Sequence, residues 1–168
     1  MSHSTDTSLS AADRELFRDN FRKFLANEVE PHYAQWEKNE IFPRELWNKM
    51  GENGYLCVDM PEAYGGYGAD FGMSAIVVEE LGYAGYGALM SSVSVHSDIV
   101  APYILHLGTE EQKLKWLPKM VTGEAVGAIG MTEEYEVGQA SKRLAAAANL
   151  LGDAHWHGSR LLARGNTL

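Results

Sequence analysis

Residues 108–139 read GTEEQKLKWLPKMVTGEAVGAIGMTEEYEVGQ, and the fold class turns on how this stretch changes character. Thr109 and Gln112 form a capping box, in which the threonine oxygen accepts from an amide three residues on and the glutamine reaches back. Leu114, Leu117, Met120 and Val121 then recur at the helical period, and Gly123 stops the helix. From Glu124 that period is lost. Alanine, valine, isoleucine and glycine crowd together as in a strand entering a core, so a strand is expected over 124–133. Glu133, Glu134 and Glu136 end the apolar run.

Upstream the pattern is helical throughout. Ser10 followed by Asp13 marks an N-terminus, and Phe17, Phe21, Phe24, Leu25, Val29, Tyr33 and Trp36 form one stripe to about Lys38. Pro31 lacks the amide hydrogen that would bond back one turn, which predicts a kink or short break. Pro43 suits the first turn of a second helix, PRELWNKMGENG, ended by Gly51 or Gly54. MPEAYGGYGADFG is too rich in glycine for regular structure and is expected as an ordered loop anchored by Tyr64 and Tyr67. Met73, Ile76, Val77, Leu81 and Ala84 predict a third helix, which GYAGYGALMSSVS interrupts. Val95, Ile99, Tyr103, Ile104 and Leu107 predict a fourth, bent at Pro102 and closed by Gly108.

Five helices therefore precede the strand, and the expectation is a mainly α fold. It divides into an all-α domain over 1–123, the first strand of a second domain over 124–133 and a tail over 134–168. GQASKRLAAAANLL, rich in alanine and leucine, predicts a helix over 138–152.

The 168 residues are enough for a core of ordinary size, and 45% hydrophobic with 22% charged residues matches a globular protein. Net charge is -9, carried by residues 1–132, and no basic stripe exists to meet a phosphate backbone, so nucleic-acid binding is not expected. Cys57, the only cysteine, excludes an internal disulfide and sits among apolar neighbours as an inert thiol. The polar start, MSHSTDTSLSAADRE, has no apolar signal region, and no apolar run reads as long enough to span a bilayer. A cytoplasmic location is the expectation.

The order of motifs is what carries a resemblance. The PEAYGG loop, the helix ending in VEELGYA, SVHSDIV, GTEEQKLKWLPKMVTGE and AIGMTE follow one another. In that order they resemble the N-terminal part of the acyl-CoA dehydrogenase family, most like its long-chain branch, over about residues 1 to 133. The resemblance implies a flavoenzyme that uses FAD to oxidise a fatty acyl-CoA to the trans-2-enoyl product and passes electrons to an electron-transfer flavoprotein. It also implies that Ile129, Gly130, Met131, Thr132 and Glu133 lie against the flavin, with the backbone around Met131 and the Thr132 hydroxyl on its pyrimidine edge. A small residue such as Gly130 lets backbone approach a flat ring, and a threonine supplies one oriented donor.

After Glu133 the chain departs from the family. TEEYEVGQ stands where the family has T-E-P-G-A-G-S-D, so the glycine turn, the serine and the aspartate are missing, and no site residue is assigned between Glu134 and Gln139. GSR at 158–160 falls near the place of a family G-S-K, but Leu162, Ala163 and Arg164 replace the aromatic-Ile-Thr that should follow. The resemblance implies that the catalytic glutamate and the arginine for the FAD diphosphate belong to the family's C-terminal helical bundle, so no proton abstractor is named here. A disrupted reading frame, a truncated chain and a short paralogue with a new C-terminus are the three origins of such a sequence.

The resemblance places the floor of the acyl pocket in SVHSDIV, where the small Gly87, Ala88, Ser91 and Ser92 nearby would leave room for a long tail, so Ser91, Ser92, Val95 and His96 are the candidate substrate pocket. The plainer reading of His96 is a helix histidine satisfied by a neighbouring carbonyl. His155 and His157 flank Trp156, but two histidines without a third ligand make no metal site, and none is expected. Glu79 and Glu80 point about 100° apart on a helix, which favours a solvated face or a salt bridge to another helix over a shared proton. Trp36, Trp47, Tyr55 and Trp116 are expected in the core.

Two alternatives to a dehydrogenase stand beside it: a non-catalytic helical interaction module and an inactive remnant. Helix faces left uncovered make self-association an expectation.

Overall fold

Ser10 caps the first helix, accepting from the Asp13 amide at 3.2 Å while the Asp13 carboxylate takes the Ser10 amide at 3.1 Å. The computed structural model describes residues 10–130 and the backbone of a hairpin at 154–157 and 160–163. Within it, α1 (Ala11–Phe24) runs into a π-helical turn at Leu25–Val29, and the chain breaks before α2 (Tyr33–Lys38). The break expected at Pro31 is therefore present, and the single helix becomes two. α3 is Arg44–Glu52, with Pro43 one residue earlier than expected, at the N-cap. The glycine-rich segment is a loop holding one 3-10 turn, Glu62–Tyr64, and α4 is Phe71–Tyr83.

The expected interruption at GYAGYGALMSSVS shrinks to three residues. Only Ala84–Tyr86 leaves the helix, with Gly85 at φ 79°, and α5 (Gly87–Ser94) follows. Two glycines and a run of small residues obscured it, but Leu89 and Val93 sit one turn apart and bury fully, so tertiary packing overrides weak propensity. α5 continues through a π-helical stretch, Val95–Val100, into α6 (Ala101–Leu107), and α7 is Glu110–Val121. Both π-helical stretches end two residues before a proline, Pro31 or Pro102. The wider turn relieves the clash between the proline ring and the carbonyl one turn back.

Gly87–Leu107 is thus one 21-residue helix, long and apolar enough to cross a bilayer, which corrects the expectation that no such run exists. It is used as a core helix. Leu89 and Val93 belong to a cluster built on Phe21, Phe24, Leu46, Met50 and Leu81, whereas Val100, Ala101 and Ile104 join Trp116, Leu117 and Met120 in a second.

The second domain's first strand, expected over 124–133, is not formed in the described part. Residues 124–130 hold no strand, because a strand needs a ladder partner and none lies among the described residues. The helix expected over 138–152 lies outside them. In the hairpin, β1 (Ala154–His157) pairs antiparallel with β2 (Arg160–Ala163), His155 opposite Leu162.

α2 ends in a Schellman motif, in which the Ile41 amide donates to the Trp36 carbonyl at 3.2 Å and the Glu40 amide to that of Glu37 at 3.1 Å. Glu40 occupies the left-handed position, φ 57°, that glycine usually takes. A side chain there costs about 1 kcal/mol.

α1 and α4 are clamped by arginines at the helical repeat. Arg14 pairs with Asp70, the N-cap of α4, and Arg18 meets both Glu79, at 3.0 Å, and Glu80. Arg22 Nε and Nη2 donate to Glu80 at 2.6 and 3.0 Å. Burial pushes the Glu80 carboxyl up, but Arg22 and Arg18 outweigh it and hold the carboxyl below its ordinary value. Its contribution is complete above the unfolded carboxyl pKa and is lost as pH falls through the folded one. Glu80 is 4% exposed, yet both arginines keep contact with water, so Glu80→Gln is expected to cost about 2 kcal/mol, less than breaking a fully buried pair. Urea denaturation at neutral pH measures it, and an unchanged midpoint would show the clamp to be energetically idle.

Candidate functional site

The two core clusters meet at His96, which is 0% exposed in the π-helical stretch between α5 and α6. Trp47 of the first cluster lies edge-on to its ring at 5.5 Å, and Cys57 of the second puts Sγ 3.6 Å from Nε2. A carbonyl can only accept, so Nε2 carries the proton and donates to the Met120 carbonyl at 3.1 Å. Nδ1 is then free to accept from the Gly127 amide at 2.9 Å. Both ring nitrogens are used, and burial pulls the imidazole pKa down to about 4, so His96 is neutral at pH 7.

His96 therefore acts as a clamp. It ties the end of α7, through Met120, to the segment leaving the helical layer, through Gly127. Gly127 is glycine for room: a Cβ there would lie 2.7 Å from Val100. Cys57 is equally sequestered. Its amide donates to Ser97 Oγ at 3.0 Å, and burial pushes its thiol up to about 12, which excludes a thiolate nucleophile.

The four candidate pocket residues do not converge. Ser91 is exposed, Ser92 and Val95 are half-buried, and His96 points inward. Ser91 and Val95, one turn apart, share the outward face of the long helix, continued by half-buried Ile99 and exposed Tyr103. Ser92 turns instead toward α2 and α3, its hydroxyl donating to the Ala88 carbonyl at 2.9 Å.

Of the candidate flavin contacts, Ile129 and Gly130 are half-buried in the segment that His96 fastens, and they make no backbone hydrogen bond to another described residue. Met131, Thr132 and Glu133 lie outside the described residues. Gly130, with no Cβ, leaves the main chain there room to approach a flat ring system such as FAD. The described residues bring no cluster of three metal-binding side chains together.

A match to the family described as acyl-CoA dehydrogenase, N-terminal domain, covers residues 11–124, the helical layer and its α7 terminus. The chain belongs to the acyl-CoA dehydrogenase family. Over 123 residues it is 44% identical to the pig long-chain specific acyl-CoA dehydrogenase, mitochondrial, spanning 73% of this chain and 28% of that protein. Among solved structures it is similar to an acyl-CoA dehydrogenase from Geobacillus kaustophilus, with TM-score 0.70 and 49% identity over 80% of this chain and 35% of the other. A glutaryl-CoA dehydrogenase from Mycobacterium smegmatis in complex with FADH2 matches with TM-score 0.68 and 31% identity, over 77% and 33% of the two chains. The chain thus spans about a third of each relative, the part in which acyl-CoA dehydrogenases place their N-terminal helical domain.

Two features of this acyl-CoA dehydrogenase lobe escaped the sequence reading. Arg14, Arg18 and Arg22 recur every fourth residue along α1 and meet the acidic Asp70, Glu79 and Glu80, but this pairing spans 56 to 62 residues of chain and no local pattern points to it. The hold of His96 on Gly127 had no signal, because neither the tautomer nor the partner is written in a local pattern. Glu80 does form the expected bridge to another helix, and Trp47, Tyr55 and Trp116 are core. Trp36 is half-exposed and lines a cleft.

Proposed function

We propose that this chain is the substrate-facing helical lobe of an FAD-dependent dehydrogenase acting on long-chain acyl-CoA thioesters, and that it does not turn over by itself. The observation that carries the reading is the His96 clamp. It sends the segment bearing Ile129 and Gly130 out of the layer beside the helix whose outer face holds Ser91 and Val95. Bound there, FAD would accept the β hydrogen as hydride while a carboxylate takes the α proton. No carboxylate among the described residues is assigned that part.

This chain's own residues supply shape. Ser91 and Val95 put small side chains on one helix face, beside which an acyl chain could lie. Ile129 and Gly130 offer main-chain groups to the ring edge. The long-chain preference is supported by the 44% identity to a long-chain specific relative.

The test is a graft. Residues 11–130 replace the equivalent stretch of a long-chain relative, and the chimera is assayed with palmitoyl-CoA and butyryl-CoA using an artificial electron acceptor. The expected result is a yellow enzyme that prefers palmitoyl-CoA, while the 168-residue chain alone is colourless and inactive. A folded chimera without flavin, or one preferring butyryl-CoA, would overturn the reading. So would turnover by the chain alone.

A second reading, a docking module, is favoured by Phe71 and Leu107, which are 82% and 77% exposed. It predicts a colourless chain that elutes as stable oligomers on size exclusion.

A further inference from the structure

Adjoining the Ser91–Val95 face of α5, a cleft of about 550 Å³ opens between α2, its terminal turn, α3 and α5. Its walls are aromatic. Trp36 and Phe42 meet at 6.2 Å with their planes at 85°, two faces of a corner, and the buried Trp47 lies behind them. Ala88 and Ser92 form the far wall, and the Ser92 hydroxyl is spent on the Ala88 carbonyl.

The rim is acidic. Glu37 and Glu40 are both exposed at the mouth, neither forms an ion pair with a described residue, and the lining holds no lysine, arginine or histidine. The Schellman turn sets this geometry, folding Ile41 and Phe42 back over Trp36, and it holds Glu40 where glycine is the favoured residue. A carboxylate is thus kept at the mouth of an aromatic corner against the backbone's own preference.

We propose that this cleft binds an organic cation carrying a quaternary or methylated ammonium group. Ring faces carry negative quadrupole potential and attract a cation within about 6 Å of the centroid. The two carboxylates add to that potential and repel anions, a CoA phosphate included. An alkylated ammonium holds its water weakly and presents methyl groups, so it enters an apolar corner that a metal ion or a hydrated primary ammonium does not. A neutral alkyl group gains nothing from the acidic rim. The argument for the cleft does not depend on the dehydrogenase reading.

The probe is choline, set against its neutral carbon isostere 3,3-dimethylbutan-1-ol, titrated into the full chain at constant ionic strength. The indole N–H resonances of the tryptophans are followed by NMR. Choline is expected to shift Trp36 and Trp47 saturably while Trp116 stays, with the isostere at least about tenfold weaker. In Glu37→Gln with Glu40→Gln, choline binding is expected to fall about tenfold and isostere binding to stay, because the change removes charge and keeps the turn. Equal binding of choline and isostere, or no saturable Trp36 shift up to the millimolar range, would overturn the proposal. That comparison is complete on the unsubstituted chain even if the double variant does not fold.

Discussion

Gly123→Ala is expected to lower stability by about 4 kcal/mol, most of what holds a marginal domain together. Gly123 follows α7 with φ 74°, a conformation that costs a side chain about 1–2 kcal/mol. It also lies against the backbone of α3, where a built Cβ would sit 2.2 Å from the Trp47 carbonyl oxygen and 2.6 Å from its carbon. A carbonyl inside a helix cannot swing away as a side-chain tip does. The α3–α7 crossing would have to open, and overpacking of that kind costs about 1–3 kcal/mol.

Gly68 supplies the control. Its φ is 59°, but nothing lies within 4 Å of the Cβ position, so Gly68→Ala carries the conformational part alone, about 1 kcal/mol. Urea denaturation of the two variants separates crowding from dihedral strain. Equal losses would show that the α3–α7 contact is looser than its backbone distances imply.

Stability is expected to fall by about 3 kcal/mol as pH drops from neutrality to about 4, with His96 the main source. Its folded pKa, about 4, lies below the unfolded value of 6.5 because burial disfavours the charged ring. Across that window the unfolded chain binds the proton and the folded chain does not. The stabilisation is therefore complete above pH 6.5 and is lost as pH falls toward 4. The carboxylates held low by arginine, Glu80 and Asp70, act lower, below the ordinary carboxyl range. Asp98, raised by its partly desolvated setting, works in the opposite sense. In His96→Asn the amide oxygen can still accept from Gly127 where Nδ1 does, the shorter side chain no longer reaches Met120, and the titration is gone. Denaturation midpoints across pH 7 to 4.5 should flatten in the variant, and parallel profiles for the two proteins would remove His96 as the cause.

What could be seen in the chain before the structure was local. The N-cap at Ser10 and the capping box at Thr109 are written in residues three apart; both form, and at Ser10 the Asp13 carboxylate also completes a box. The break at Pro31 follows from a missing amide hydrogen. The helix at Gly87–Ser94 stayed hidden because its evidence is tertiary: Leu89 and Val93 are buried by residues far away in sequence, while the local composition argues for a turn. The strand at 124–133 was legible as composition, but a ladder is a property of two segments. At the site, Ser91 and Val95 share a face that helical spacing could supply. His96 stands apart because the wider π-helical turn and the reach of α7 decide its direction.

The π-helical stretch Val95–Val100 has a consequence for how this helix tolerates change. A π turn amounts to an α-helix carrying one surplus residue, looped out so that the flanks keep their phase. Losing a residue elsewhere in Gly87–Leu107 would rotate everything beyond it by about 100° and swing Ile104 away from Leu117. Losing one from within Val95–Val100 would let the bulge relax to ordinary pitch and leave both ends facing as before. Natural variation in the length of this helix should therefore concentrate at the bulge, beside the histidine that holds the exit segment.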